Sequence, residues 1–403
     1  MKTVALAFWR HPNGVTQAIM GEISRGFVEA GWDVVYLDIG ELEAGNFDHT
    51  ARVAALERLQ RLDLVFAVTP EALLGQCNGR GLWQILPCKF AVLFLDSPIY
   101  SLQRPHVIEM LATKPPQDLV FFVPDRSHGR LVRDYLRATG RGNPVHFLPF
   151  GGRRSLFRPA PRSTRDLDIV FFGNTNQELA GQHIRDDVAS SFESYRRSEI
   201  GYERIVQFVL QHLEGSANGD LMEEFIGFFG LRCVDFFDAW WIQLFRDIDG
   251  VVKRFRRRQV MERLIACGRK VALFGHGWQE TLGSRANVEV FGTVAYDKLY
   301  DLFERSRVVL NIDPNWGFGA HDRVFNAMLC GAVSLTQSNG YTKSAFEHAS
   351  DALLYAQNGS DLAECLSLPA EKCDEIAQAG FHAAMTSHTW AARVQLALGH
   401  LGW

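Results

Sequence analysis

The chain has 403 residues, 47% of them hydrophobic, and a net charge of -4. That length exceeds one ordinary core and calls for two domains, or three at most. The weakly acidic balance excludes a global basic field for nucleic acid and favours a small-molecule partner, and seven cysteines without a close CxxC pair read as buried thiols of a reducing compartment.

Residues 1–8 are apolar but short and run into Trp9-Arg10-His11, so they predict a first β-strand and not a cleaved leader. No stretch approaches the roughly 20 apolar residues of a membrane helix, which leads to the expectation of a cytoplasmic protein. Over the first 150 residues, short apolar runs alternate with amphipathic segments, the signature of a parallel sheet. Strands are predicted at 4–9, 33–37, 64–68, 90–95, 119–123 and 145–148, with a helix over 15–30 closed by Gly31.

The texture changes at 149–162, which is rich in glycine, proline and arginine and reads as an interdomain linker. A second α/β domain follows, with strands at 168–172, 270–274, 288–290, 308–312 and 333–336. Between the first two of these, residues 178–262 carry no strand pattern and predict a helical insertion. Phe236, Phe237, Trp240, Trp241, Leu244 and Phe245 fall on one face of it, ahead of the basic run 253–258. Such a stripe is usually core, with the charges solvated; the other reading is a membrane-surface contact through 225–258.

Ligands of open α/β sheets bind beyond the carboxyl ends of the strands, so the residues just after each apolar run are the candidates. In the first half, His11, Asp96 and His128 are the ionisable groups placed for acid–base work. In the second half, the polar tips are Gly173 and Asn174, Gly275 to Trp278, and Asn311 to Gly319. The most informative stretch is Gly317 to Ala332, where a glycine loop with His321 and Arg323 opens an apolar-faced helix that stops at Gly331. A helix start offers unpaired N–H groups and partial positive charge, a plausible seat for a diphosphate. The first loop has no GxGxxG pattern and there is no Walker lysine, which argues against dehydrogenase and P-loop chemistry. The pairs Asp166/Asp168 and Asp247/Asp249 have metal-binding spacing but sit ahead of a strand and inside the insertion, so no metal is expected.

Taken in order, Asp168–Asn174, Val271–Trp278, Val290–Tyr296, Leu299–Asn311 and Gly319–Gly331 resemble the nucleotide-sugar-binding domain of GT-B glycosyltransferases. The nearest likeness is to the group resembling spore maturation protein B, related to the retaining family 4 enzymes. Leu93–Pro98 resembles that group's N-terminal domain, and His146–Gly151 with Leu156–Pro159 its hinge. The resemblance implies two Rossmann-like, doubly wound domains facing a cleft: 1–150 on the acceptor side, 151–388 for the donor with the insertion 178–262, and a C-terminal helix 389–403 packing back towards the first domain.

It implies a donor site of Gly173, Asn174, Gly275, His276, Gly277, Trp278, Tyr296, Asn311, Gly319, His321, Arg323, Val324, Phe325 and Asn326. The activity implied is transfer of a sugar, with retention and without metal or cofactor, from a nucleotide sugar (a UDP-sugar in first place) to a glycan, lipid-linked, protein or small-molecule acceptor. Asp96 or His11 would orient the acceptor or steady the oxocarbenium-like centre, with His128 a further catalytic candidate, and the location would be the cytoplasm or the inner face of the membrane. The sequence departs from the family where Asn326 replaces a ribose-binding glutamate and Trp316 a second one. Asparagine can bond a ribose hydroxyl but carries no charge. The alternatives left open are a GT-B-like binding protein without turnover and a sugar-nucleotide epimerase.

Overall fold

The computed structural model describes residues 1–10, 12, 14–39, 61–73, 76–77, 80–154, 159, 161–175, 184–198, 200–215, 220–313 and 316–403. The chain divides into two compact units: Met1–Arg154 with Ala295–Asp297 and Thr386–Trp403, and Ser155–Val294 with Lys298–Met385.

The first unit is built on β1 (Thr3–Phe8), β2 (Asp33–Asp38), β3 (Leu64–Val68), β4 (Lys89–Leu93), β5 (Leu119–Val123) and β6 (Val145–Phe147). Their order is β2-β1-β3-β4-β5-β6, all parallel. The central strands β3 and β5 are buried throughout, which is why they read as continuous apolar runs and not as alternation. Helix α1 (Val15–Glu29) ends where expected: Gly31 takes φ +80° and the Trp32 N–H reaches the Phe27 carbonyl at 3.0 Å. Helix α2 (Arg126–Ala138) is capped by Asp125, whose buried carboxylate accepts the N–H of Ser127 and His128.

The second unit carries β7 (Leu167–Phe172), β8 (Val271–Phe274), β9 (Val288–Phe291), β10 (Ser306–Asn311), β11 (Val333–Gln337) and β12 (Leu353–Tyr355) in the order β9-β8-β7-β10-β11-β12, again all parallel. Renumbered from β7, this is the 3-2-1-4-5-6 order of a doubly wound Rossmann sheet. The strand β12 was not anticipated, because three residues are too few to show a period.

Between β7 and β8 the described residues are helical: α3 (Ile184–Ser191), α4 (Tyr202–Glu214), α5 (Leu221–Phe229) and α6 (Ala239–Ala266). The aromatic stripe is core. Phe236, Phe237, Leu244 and Phe245 are buried, Trp241 is half-buried, and only Trp240 is exposed. The last helix outruns the expected end at 262 and sends Val260, Met261 and Leu264 into the core beneath the sheet. Nor is the basic run simply solvated. Lys253 pairs with Asp249, Arg258 with Glu262, and the buried Arg256 donates to the His212 carbonyl at 2.9 Å.

After α7 (Asp322–Leu329) and α8 (Ala370–Ser387), helix α9 (Trp390–Leu401) returns to the first unit, where it lies against α1; a Cβ on Gly26 would meet Val394 at 2.9 Å. Arg393 fastens this helix through the Phe150 carbonyl (2.9 Å) and His388 Nδ1 (2.8 Å). Burial, reinforced by the Arg393 cation, pushes the His388 imidazole down to about 3. Because the folded state binds the proton less well than the unfolded chain, this stability is complete above the ordinary value near 6.5 and drains away as pH falls towards 3. Thermal unfolding of the intact chain should show a loss of about 2 kcal/mol between about pH 7 and about pH 5 from this group. An His388→Gln variant should flatten that slope; an unchanged slope would assign the acid sensitivity elsewhere.

Candidate functional site

At the carboxyl edge of the second sheet, three turns interlock. β7 runs into Gly173-Asn174-Thr175 and β8 into Gly275-His276-Gly277. The Asn174 side chain accepts the His276 N–H at 2.9 Å, while the Thr175 N–H bonds the His276 carbonyl at 2.9 Å. The spacing demands glycine: a Cβ on Gly277 would lie 1.9 Å from the Thr175 carbonyl oxygen, and one on Gly275 2.4 Å from that of Gly173. Both also hold positive φ, +84° and +145°. The exposed His276 reaches β9's loop through Nε2, 2.6 Å from Thr293 Oγ1.

Arg323, in the first turn of α7, points its guanidinium at Asn311 Oδ1 (3.2 Å) and stands 5.5 Å over the Phe171 ring. Asn311 is itself fixed by Thr336 Oγ1 at 3.1 Å and by the Tyr355 hydroxyl, which donates to its carbonyl at 2.6 Å. Asn311 is therefore a buried mount for Arg323 and not a ligand-facing group.

Arg257 of α6 enters from the other side. Its Nη1 donates to the Asn174 carbonyl at 2.6 Å, its Cζ lies 3.8 Å from where a Gly173 Cβ would stand, and its Nε is buried with no hydrogen-bond partner among the described residues. Burial lowers its proton affinity, and the nearby Arg323 cation lowers it further, against the opposing pull of Asp313 and Asp249. Two guanidiniums that repel each other beside a glycine turn form a natural anion seat.

The glycine loop ahead of α7 is held by a residue outside the expected set. Asn339 Nδ2 donates to the carbonyls of Trp316 and Gly319, both at 2.9 Å, while its oxygen accepts the N–H of Tyr341 and Thr342. His321 Nδ1 lies against the Asp322 carboxylate and also 3.3 Å from the Arg323 N–H. These contacts need opposite protonation of Nδ1.

Several expected donor residues serve the framework. Trp278 is fully buried, its indole N–H bonded to the Gly173 carbonyl at 2.7 Å, and Val324 and Phe325 are buried on α7. Asn326 is buried too, donating to Asp322 at 3.3 Å. Tyr296 is buried and counts with the first unit. There, Asp96 is exposed in the turn after β4 and His128 is buried in the first turn of α2; no hydrogen bond joins the two among the described residues. His11 lies outside the described residues.

Both paired-carboxylate motifs are occupied by neighbours. Arg305 Nε bonds Asp166 at 2.9 Å and Arg269 Nε bonds Asp168 at 2.7 Å, while Asp247 accepts from Tyr195 and Gln243, and Asp249 from Lys253.

The two six-stranded parallel sheets define a GT-B fold. Residues 254–399 match the model of a family described as glycosyl transferase-like, a span that opens just before Arg257 and includes Arg323. Over its full length the chain is similar to HepE of Anabaena in complex with UDP-glucose, at 13% identity, 99% of that chain and a TM-score of 0.53. It is also similar to sucrose-phosphate synthase of Thermosynechococcus elongatus (12% identity, 98% of that chain, TM-score 0.52). A third likeness is to an alpha-glucosyltransferase in complex with UDP (9% identity, all of both chains, TM-score 0.55). No curated protein matches the sequence.

Proposed function

We propose that the chain is a glycosyltransferase that moves a sugar from a nucleotide sugar, a UDP-sugar in first place, to an acceptor hydroxyl, with retention and without a metal. The observation that carries this reading is the pair of mutually repelling guanidiniums at the end of β7, Arg257 on the Gly173 turn and Arg323 over the Phe171 ring. Cleavage of the bond between the anomeric carbon and the diphosphate oxygen leaves its electron pair on that oxygen. Two fixed guanidiniums stabilise that charge as it develops, which is where electrostatic preorganisation has most effect. The acceptor oxygen forms the new bond on the face the diphosphate leaves, and its proton passes to the departing phosphate. His276 and Thr293, at the exposed end of the turn, are the groups available to the nucleoside.

Incubation with a panel of nucleotide sugars tests this. Release of nucleoside diphosphate, undiminished by a chelator and with the product's anomeric configuration matching the donor's, is the expected result. Saturable binding without turnover would replace the enzyme by a binding protein, and a changed sugar without an acceptor would indicate an epimerase.

The buried carboxylate of Asp322, one helical turn ahead of Asn326, accounts for the missing glutamate: a second carboxylate there would face it in a dry site. Asn326→Asp is accordingly expected to destabilise the fold by about 1 to 3 kcal/mol and to weaken nucleotide binding. Tighter UDP binding in calorimetry would refute this account.

A further inference from the structure

We infer that helix α6 holds a second anion seat outside the proposed diphosphate site, in which Arg254 receives the carboxylate of an acidic sugar carried by the donor or by the acceptor. This seat presupposes Arg257 as a diphosphate ligand, and it names the substrate class of the same site. Gly250, Arg254, Arg257, Met261 and Leu264 follow one another along α6 at steps of three and four residues, which places them on one face. Met261 and Leu264 enter the core beneath the sheet, and Arg257, a turn earlier, reaches the Gly173 turn at the sheet's carboxyl edge. The same face then continues past that edge. Arg254 is one turn further out, about 5 Å along the helix axis.

Its condition sets Arg254 apart from its neighbours. Of the five cations in the run 253–258 four are held: Lys253 by Asp249, Arg256 by the His212 carbonyl, Arg257 by the Asn174 carbonyl and Arg258 by Glu262. Arg254 is half-buried, its Nε wholly so, and none of its nitrogens has a hydrogen bond or ion pair among the described residues. It lies back over Gly250, where a Cβ would stand 3.7 Å from Nη1 and meet nothing else from a neighbouring element within 4 Å among the described residues. Burial disfavours the guanidinium's charge. The carboxylate that supports it, Asp247, already accepts from the Tyr195 hydroxyl on one oxygen and from Gln243 Nε2 on the other. A half-buried cation in this condition costs stability until an anion meets it.

The surroundings select a monoanion. A single guanidinium whose charge Asp247 offsets from a distance matches one negative charge and not a second diphosphate, and its planar fork fits the two oxygens of a carboxylate. One helical turn beyond Arg257, that carboxylate belongs to a part of the substrate separate from the diphosphate. An acidic sugar carries its charge in this way, fixed to the ring. A neutral hexose leaves Arg254 unmet and is the poorer ligand.

The test is calorimetry of the intact chain with UDP, UDP-glucose and UDP-glucuronate, together with ligand-observed NMR of methyl glucoside and methyl glucuronide in the presence of UDP. With the acidic sugar on the donor, UDP-glucuronate should bind roughly tenfold or more tighter than UDP-glucose; with it on the acceptor, methyl glucuronide should bind saturably where methyl glucoside does not. In either case Arg254→Gln should erase the difference and leave UDP affinity unchanged. Should melting curves show that Arg254→Gln fails to fold, Arg254→Lys decides, since an ammonium lacks the fork and should lose roughly threefold or more of the preference. Equal binding of acidic and neutral probes, or a preference that survives both substitutions, would overturn the inference. UDP that fails to bind would remove the diphosphate seat instead, and the methyl glucuronide titration, repeated without UDP, then judges Arg254 alone.

Discussion

Replacing Arg257 by alanine is expected to reduce donor turnover, as kcat/KM, by about 100- to 1000-fold, as much as replacing Arg323. The two cations act on one developing charge, so the double variant should lose little more than either single one. The lysine variants discriminate further. Arg257 grips the Asn174 carbonyl with one nitrogen of a planar fork of donors that an ammonium cannot reproduce. Arg257→Lys should recover charge but little activity. Nucleoside diphosphate release and UDP calorimetry read both effects, and full activity in Arg257→Ala would remove this residue from the site.

The largest expected effect on stability lies at Arg165. It is 2% exposed and donates to three main-chain carbonyls, those of Phe303 (3.3 Å), Ser306 (2.7 Å) and Cys330 (2.8 Å). The last belongs to the C-terminal cap of α7, where a cation also interacts favourably with the negative end of the helix dipole. Arg165→Met keeps much of the volume but strands these carbonyls, and should cost about 3 to 5 kcal/mol in denaturant unfolding. A loss under about 1 kcal/mol would show that water replaces the guanidinium at little cost.

Both residues illustrate what the sequence discloses. Eleven of the twelve strands of the two parallel sheets show as apolar runs, because a parallel sheet covered on both faces leaves no alternation to misread. The glycine turns at 173, 275 and 277 and the loop into α7 were equally visible, and at 275 and 277 close backbone approach permits no other residue. Arg257 was hidden in a basic run. Its neighbours Lys253 and Arg258 form ordinary helix-surface pairs, and only the rotation of α6 against β7 separates their roles from its own. Asn339 was hidden for a similar reason: Ser338-Asn339-Gly340 reads as a turn, and nothing local shows that its amide spans back to the loop at 316–319. The burial of His128 was hidden too: it is a titratable residue just after a strand's carboxyl end, and its backbone N–H is bonded by the Asp125 cap.

Helix α6 has a practical consequence for anyone reshaping this protein. One unbroken rod of 28 residues forms the wall of the aromatic insertion at its beginning, carries Arg257 further along, and closes the sheet's core with Val260, Met261 and Leu264 at its end. The insertion is therefore not a cassette that can be cut out at the boundaries its composition suggests. Excising 178–262 would remove the cation proposed to face the diphosphate and unroof the sheet together. A minimal chain would have to splice within the rod, upstream of Phe255, and supply a new cap there.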